Sequence, residues 1–508
     1  MKKLLVFLGV ASLLVVNPGC KDYLDVNHDP NVVENIKEPK IVLSNSQMLI
    51  ATQLMGWDLG FIGAFWTQYW TQKHTGSQFK GLSNYSEVQA GSAYEALTSG
   101  ALQDLNRIKD ISADHERYAG YAYIAEILSI FTWQVLTDTW GDIPYFEAQK
   151  GAVGIIAPKF DKGEDIYVDL IRRIDALLAQ PLPKVPIDAR YDFLCEGDYA
   201  RWRQLANGLK LKLMLRQSET AKYDNSATLA FVESTDFIKQ SVLISGSTWE
   251  DSKEGKRHPL REFEEGGANY FTVNVIGCAS FIEYLKVNSD PRLKTLFTDN
   301  AGVYRGAFFG DYDSTEKTDG VLSDKDVKYS RPIIRPDLDL MLMSLWEVNF
   351  NIAEVYARAG NALKAKDYYE KAVKASLAQH GINDQAILVA GGYATWDVAA
   401  NEEDQIKQIA MQRWVANANY QHAETFFERN RLKYPSVNEI DVRLNRKSVF
   451  ESFPVGQLTI SVSGRERLNL NLPKSLLYPN SITERNSNAL PQKPNVGQKI
   501  WWDQKPGK

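Results

Sequence analysis

Aromatic side chains with polar edges are the clearest candidates for chemistry in this sequence. The segment FWTQYWTQKH contains Trp66, Tyr69 and Trp70, which share one face if the segment is helical. Such a face either belongs to the hydrophobic core or forms a platform on which sugar rings stack, because Trp and Tyr combine a flat apolar face with a polar edge. His74, Phe79 and Tyr85 in the following loop extend this platform. A second candidate set lies in a Gly-rich middle region and consists of Trp249, Asn269, Tyr270 and Phe271.

Signatures of catalysis and metal binding are largely absent. The sequence contains no H-E-x-x-H, G-x-S-x-G, Walker or Cys/His metal-binding pattern, and its six histidines are scattered. Asp311, Asp313 and Asp319 could ligate calcium, but they lack EF-hand spacing, and a solvated acidic turn is the favoured interpretation. We therefore expect a protein that is not an enzyme and that needs no metal or cofactor. A glycoside hydrolase with paired carboxylates is the alternative.

The N-terminal segment, MKKLLVFLGVASLLVVNPGC, predicts export from the cytoplasm. Two lysines precede an apolar run that is too short to span a bilayer comfortably. We interpret residues 1–19 as a lipoprotein signal peptide and Cys20 as the site of lipid attachment. Residues 20–40 are polar and contain two prolines, which is typical of a tether. Residues 41–508 are then expected to form a single domain.

Charge and cysteine content exclude some partners and leave one alternative open. The net charge is −5, with 58 basic and 63 acidic residues well mixed, and no basic stripe indicates nucleic-acid binding. Apart from Cys20, the chain has Cys195 and Cys278. Two cysteines in an exported protein of this size do not make a disulfide framework. Two buried thiols are the favoured interpretation, and a single bridge between them is the alternative.

Apolar periodicity predicts a mostly α-helical fold with long inserted loops and a few short strands. Helical spacing recurs over residues 44–73, 95–111, 117–138, 164–179, 198–218, 340–378 and 402–430. The segment NIAEVYARAGNALKAKDYYEKAVKASL has the small and aromatic positions of a tetratricopeptide helix pair. One such unit cannot bury its own faces, so neighbouring helix pairs must stack on it. Residues 245–335 are predicted to form long loops and short strands around one helix near 278–287, and Gln457–Val462 is a strand candidate.

Seven segments together resemble the SusD/RagB family of nutrient-binding outer-membrane lipoproteins of the Bacteroidetes. They cover the chain nearly end to end: CKDYLDVNHDPN, LTDTWGDIPYFEA, GDYARWRQLANGLKLKLMLR, SDPRL, LWEVNFNIAEVYARAG, RWVANANYQHAETFFERNRLKYP and NLPKSLLYPNSITERNSNAL. The resemblance implies an α-α superhelix of four tetratricopeptide-like helix pairs with loops inserted on one face. It also implies a lipid-anchored location on the cell surface and a partner, a TonB-dependent SusC-like transporter, which the protein caps as a lid.

The resemblance further implies binding without catalysis, since members of the family mostly bind glycans and some bind peptides. We therefore expect a surface-exposed lipoprotein that binds an oligosaccharide and delivers it for import. A peptide-binding member of the same system, a glycoside hydrolase and a purely structural scaffold are the alternatives. The aromatic candidates rest on their own chemistry, because the family's ligand residues vary too much to be transferred by position.

Overall fold

The computed structural model describes residues 38–73, 76, 78–86, 88–262, 274–310, 328–442 and 452–508. The α-helices in the first half of these are α1 Pro39–Met55, α2 Leu59–Trp66, α3 Lys80–Ser83, α4 Gly91–Glu95, α5 Gln103–Ser112, α6 Ala119–Trp140, α7 Gly163–Leu178, α8 Tyr199–Arg216 and α9 Asn225–Ser234. Those in the second half are α10 Ala279–Val287, α11 Leu293–Leu296, α12 Leu345–Arg358, α13 Ala362–Gln379, α14 Glu402–Ala416, α15 His422–Leu432, α16 Val462–Arg467 and α17 Asn480–Thr483. A π-helical segment, Ala96–Leu102, joins α4 to α5.

The described strands are short and form three antiparallel two-stranded sheets. They are β1 Trp70–Gln72, β2 Ile143–Pro144, β3 Phe160–Asp161, β4 Val242–Ile244, β5 Val275–Gly277 and β6 Leu340–Met343. Strand β1 pairs with β5, β2 with β3, and β4 with β6. The strand candidate Gln457–Val462 is wrong, because only Leu458 forms an isolated bridge, to Val437, and Val462 already begins α16.

The predicted helices are present, but some of the predicted stretches are divided: residues 402–430 form α14 and α15, and residues 340–343 form strand β6 instead of helix. The helical pattern over residues 44–73 divides into α1, α2 and strand β1. A sharp turn separates the two helices at Gly56, where a Cβ atom would lie 2.2 Å from the carbonyl oxygen of Thr52. Only glycine fits such a close approach of backbone to backbone. The sequence pattern continues through the turn because both helices are buried against the same core.

The predicted tetratricopeptide unit is the helix pair α12 and α13. Ala353 and Ala365 are fully buried and let the two helices approach closely. Tyr369 is buried beside Phe350, with ring centroids 6.1 Å apart, and its hydroxyl donates to the carbonyl of Ala394. Further antiparallel pairs, α5 with α6, α7 with α8 and α14 with α15, stack along the chain. This confirms the predicted mostly α-helical fold.

A network of buried charges crosses the helical pairs, and we call it the ionic network. Arg216 on α8 donates to Asp138 on α6 at 2.9 Å and to Glu424 on α15 at 2.6 Å. Arg431 on α15 donates to both oxygens of Glu354 on α12, at 2.6 and 2.7 Å. Further members are Lys212, Glu347, Arg413 and Glu428. Ion pairs between helices distant in sequence fix their stacking register.

Cys195 and Cys278 are buried thiols, as the favoured interpretation had it. Among the described residues, one helical stretch, Pro39–Trp66, is long and apolar enough to cross a membrane by length and composition. Two-thirds of its most apolar window, 67%, is buried inside the protein. Burial of that extent is what a core helix of a folded body shows.

Candidate ligand-binding clefts

The predicted aromatic platform lies in the core. The rings of Trp66, Tyr69, Trp70, Phe79 and Tyr85 are between 0 and 5% exposed. The hydroxyl of Tyr69 donates to the carbonyl of Trp414, and Trp70 packs edge-on against His422 at 4.8 Å. Burial lowers the pKa of His422 to about 3, so the imidazole is neutral in this environment. These five rings are buried and line neither of the two cavities described below, so the platform hypothesis is corrected here in favour of the core alternative.

A small sheet begins at Trp70, the last tryptophan of the first predicted group. Strand β1 starts with Trp70 and pairs with β5, so that Trp70 lies opposite Gly277. Beyond the sheet, the amide of Lys73 donates to the carbonyl of Asn274 at 2.8 Å, and Asn274 Nδ2 donates to Gln78 at 3.0 Å. His74, Asn269, Tyr270 and Phe271 lie outside the described residues, as do Cys20 and the acidic loop at 311–319.

Trp249 is half-buried and held by its polar edge. Its Nε1 donates to the carbonyl of Leu338 at 3.0 Å, and its ring packs edge-on against His258 at 5.6 Å. Trp249 lines neither of the two cavities that follow. It remains a candidate from sequence alone.

A cleft of about 420 Å³ lies beside the C-terminal half of α6, and we call it the Trp133 cleft. The aromatic side chains of Trp133 and Tyr94 line it, together with polar side chains on its rim. The polar residues are Thr98, Ser99, Gln103, Gln149, Ser481, Arg485 and Asn486. No carboxylate is found among the described residues that line this cleft. Aromatic faces with amide, hydroxyl and guanidinium donors around them can bind sugar rings and their hydroxyl groups.

The π-helical segment shapes one wall of this cleft. Its sequence, ALTSGAL, places Thr98, Ser99 and Gly100 in succession, and none of these is a strong helix former. The Thr98 hydroxyl donates back to the carbonyl of Tyr94 at 2.7 Å. The carbonyl of Thr98 accepts from Gln149 Nε2 at 2.7 Å. Such π-helical turns are rare and concentrate at functional sites.

The loop between β2 and β3 forms the opposite wall. The carboxylate of Asp161 accepts from the backbone amides of Tyr145 and Phe146, at 2.9 and 2.8 Å, and thereby fixes the start of the loop. Farther along, Val153 is 76% and Ile156 86% exposed. Ile156 lines the cleft. Ile156 therefore places an exposed aliphatic side chain at the rim of the cleft.

A second cavity, of about 450 Å³, lies at the C-terminal end of α6, and we call it the Lys493 cavity. Trp140 lines it and packs edge-on against Tyr94 of the Trp133 cleft, with ring centroids 5.1 Å apart. Its other described lining side chains include Asp142, Lys162, Glu164, Tyr478, Gln492, Lys493, Gln498, Lys499 and Trp501. Both cavities therefore share one face, built from the end of α6, residues 141–162 and residues 478–501.

This face lies far from the start of the described chain. The carboxylate of Glu38 accepts from the hydroxyl of Tyr118 at 3.1 Å, immediately before α6 begins. Helix α6 has 22 residues, so it is about 33 Å long. Trp133 and Trp140 belong to its last turns. The chain therefore enters the body near one end of α6, and the two cavities lie near the other end.

Comparison with known proteins decides the family. The family model described as "Starch-binding associating with outer membrane", SusD-like, matches residues 30–454. The chain belongs to this SusD-like family. No curated protein matches its sequence.

Several solved structures share the SusD-like fold. A chitin-binding protein superposes with a TM-score of 0.69 at 20% identity over 92% of this chain and 100% of its own. A chitin-binding SusD homologue from Flavobacterium johnsoniae gives 0.70 at 18% identity over 92% and 98%. A SusD homologue from Bacteroides uniformis gives 0.69 at 19% identity over 91% and 99%. At such identities the likeness establishes the SusD-like fold.

Sequence reasoning missed the residues that line these cavities. Trp133 and Tyr94 sit within predicted helical stretches, where an aromatic residue reads as core. Two local signals were available: the run Thr98–Gly100, which interrupts a helical pattern, and the close succession of tryptophan, tyrosine and phenylalanine in TWGDIPYF. Neither signal identifies the C-terminal residues that complete the cavities.

Proposed function

We propose that this protein is a cell-surface lipoprotein that binds nutrient glycans and delivers them to a TonB-dependent SusC-like transporter. The observation that carries the proposal is the match of a starch-binding-associated, outer-membrane family model to residues 30–454. Chitin-binding proteins among the structures of the same fold support a glycan as the ligand. Residues 1–19 would be the signal peptide, Cys20 the lipidated residue, and residues 41–508 one functional domain.

The Trp133 cleft is the proposed glycan site. Trp133 and Tyr94 are 7% and 5% exposed, so a sugar ring would contact the part of each aromatic side chain that reaches the cleft. Gln103, Ser99 and Arg485 line the cleft and can donate to sugar hydroxyls. The described lining of this cleft contains no paired carboxylates of the kind that glycoside hydrolases use. Affinity in so open a site would be modest.

The position of the cleft suits a tethered lid. Residues 20–38 could extend to about 60 Å, at roughly 3.3–3.6 Å per residue. The tether would enter the body near Tyr118, and the cleft lies toward the other end of α6. A body held in this way could swing over a transporter while the cleft stays accessible from outside.

Binding measurements test the glycan proposal directly. Purified protein, residues 21–508, would be screened on a glycan array, and each ligand found would be titrated by calorimetry. We expect Trp133→Leu, which keeps an apolar side chain but is smaller and removes the flat ring, to weaken binding at least five-fold. Lys371→Met, at an exposed position that lines neither cavity, is the matched control. Binding of peptides and of no oligosaccharide would replace the proposal with the peptide alternative.

Two further experiments address the anchor and the alternatives. Radiolabelled palmitate should label the wild type and leave Cys20→Ala unlabelled, and the variant should move to the soluble fraction. Co-purification with an outer-membrane barrel would support the transporter partner. Release of products from labelled polysaccharide would favour a glycoside hydrolase instead.

A further inference from the structure

The Lys493 cavity contains a lysine amine whose hydrogen-bond acceptors are uncharged. Lys493 Nζ donates to the hydroxyl of Ser475 at 2.9 Å and to the carbonyl of Leu476 at 2.7 Å. The same ammonium group lies 4.8 Å from the ring centre of Tyr478. Both oxygen acceptors are neutral. Within the described part of the chain, no carboxylate lies within ion-pair distance of Lys493.

The carboxylates of the same cavity are already paired with other lysines. Asp142 accepts from Lys162 at 2.7 Å and from the amide of Gly163 at 2.9 Å. Glu164 forms an ion pair with Lys222. The two acidic side chains that line the cavity are therefore compensated, whereas Lys493 is not.

Local sequence fixes Lys493 in this position. Pro491 and Pro494 flank it closely and restrict the backbone on either side. The side chain of Gln492 accepts from the amide of Tyr478 at 2.9 Å and donates to its carbonyl at 2.8 Å. The side chain of Gln492 thus forms the two backbone hydrogen bonds with Tyr478 that a residue on a neighbouring strand would form. Lys493 is held against a fixed partner segment, so its ammonium group is positioned in advance of any ligand.

We propose that the Lys493 cavity binds the carboxylate of an acidic sugar, so that uronic-acid oligosaccharides are the ligand class of this protein. The proposal rests on the proposed function, glycan binding, and specifies its substrate. A carboxylate in the cavity would complete the shell of Lys493 with a charge-assisted hydrogen bond. The cavity volume of about 450 Å³ falls within the range of about 300–1,000 Å³ typical of small-molecule sites. Half-buried Trp501 adds an aromatic wall.

The pH dependence of binding follows from the surroundings of Lys493. Burial lowers the pKa of Lys493 to about 7, and the charge of Asp142 opposes this only in part. The other charged groups that line the cavity are Lys162, Glu164 and Lys499. A carboxylate ligand binds the protonated form, so affinity should fall as pH rises above 7. With a free-state pKa of about 7, binding at pH 8 should be about ten-fold weaker than at pH 6.

The decisive experiment compares an acidic oligosaccharide with its neutral ester. Calorimetry at pH 6 would use tetragalacturonate, its methyl ester, and two neutral glycans, maltotetraose and chitotetraose. We expect tetragalacturonate to bind at least ten-fold more tightly than its ester. Lys493→Gln should abolish that preference, while Lys499→Gln, at an exposed lysine of the same cavity, should change it less than three-fold. Lys493→Arg should keep the preference and remove the fall in affinity between pH 6 and pH 8.

The outcomes separate the inference from the proposed function. Equal binding of tetragalacturonate and its ester, with neutral glycans bound, would overturn the inference and leave glycan binding intact. Absence of binding to every oligosaccharide would overturn both. Binding of a peptide's free C-terminus in preference to tetragalacturonate would assign the cavity to peptides and overturn the inference. If Lys493→Gln does not fold, the ester comparison and the pH profile of the wild type still decide.

Discussion

The ionic network and the Lys493 cavity place cations in opposite situations. In the network, Arg431 is fully buried and contacts both oxygens of Glu354, and Arg216 contacts Asp138 and Glu424. In the cavity, Lys493 has neutral acceptors and faces an open volume. Charges that are buried must be compensated. A cation compensated within the protein stabilises the architecture, and one left uncompensated at a cavity is available to a ligand.

Asp138 connects the two regions. Its carboxylate accepts from Arg216 in the network at 2.9 Å and from Trp502 Nε1 at 2.8 Å. Trp502 follows Trp501, which lines the Lys493 cavity. The ionic network therefore holds one end of the C-terminal segment through Trp502. The helices that it connects position the face that contains the two cavities, and polar groups of that face are available to a ligand. Predictions that separate stability from binding test this comparison.

The largest effect is expected from removing a network cation. Arg431→Met leaves the fully buried Glu354 without its main partner and removes a contact to Glu428. Breaking a buried ion pair by deleting one partner costs about 3–5 kcal/mol of unfolding free energy. Urea denaturation followed by circular dichroism would measure it.

The control for that variant is Lys371→Met, which breaks an exposed pair with Asp367 and should cost less than about 0.5 kcal/mol. Equal losses for the two variants would contradict the view that the network stabilises the helical body.

Acid should weaken the ionic network. Burial raises the pKa of Glu424, but Arg216 and Lys212 outweigh this and hold the pKa at about 2, below its ordinary value of 4.5. The unfolded chain therefore binds the proton more tightly, and stability is lost as pH falls from about 4.5 toward 2. Urea midpoints measured from pH 6 to pH 3 should decline less steeply in Glu424→Gln than in the wild type. Parallel curves would show that Glu424 is not held in its charged form.

A smaller effect, on binding alone, is expected at the Trp133 cleft. Arg485 is exposed, lines the cleft, and has no ion-pair partner among the residues that the structure describes. We expect Arg485→Ala to weaken binding of the glycan identified on the array about three- to ten-fold, since a hydrogen bond from a charged donor is lost. Its urea midpoint should match that of the wild type. A loss of stability with unchanged affinity would place Arg485 in the architecture instead.

Local patterns predict the helices of this fold but not its binding face. The small and aromatic positions of residues 352–372 predict the α12–α13 pair, because helix packing repeats within a few turns. Burial of Trp70 depends on His422, more than 300 positions away, and no local pattern reports it. The Lys493 cavity likewise joins the end of α6 to residues 478–501. Fold class followed from periodicity, while the cavities depend on how distant segments meet.

The smallest expected effect would distinguish the two regions by the direction of their pH response. The pKa of Lys493 is lowered from 10.5 to about 7 by burial, so above pH 7 the unfolded chain binds more protons than the folded one. Stability from this group should therefore rise with pH above 7, opposite to the acid loss from the network. One proton changes stability by at most about 1.4 kcal/mol per pH unit, and partial solvent contact reduces this value.

Urea midpoints of the wild type and Lys493→Gln at pH 6.5, 7.5 and 8.5 would measure that rise. The wild type should gain stability relative to the variant across this range. Saturating tetragalacturonate should abolish the gain, because a bound carboxylate keeps Lys493 protonated. A gain that persists with the ligand bound would mean that the carboxylate does not reach Lys493. The change in the urea midpoint above pH 7 therefore shows whether Lys493 binds the carboxylate of the ligand or is only a lysine that is neutral in the folded protein.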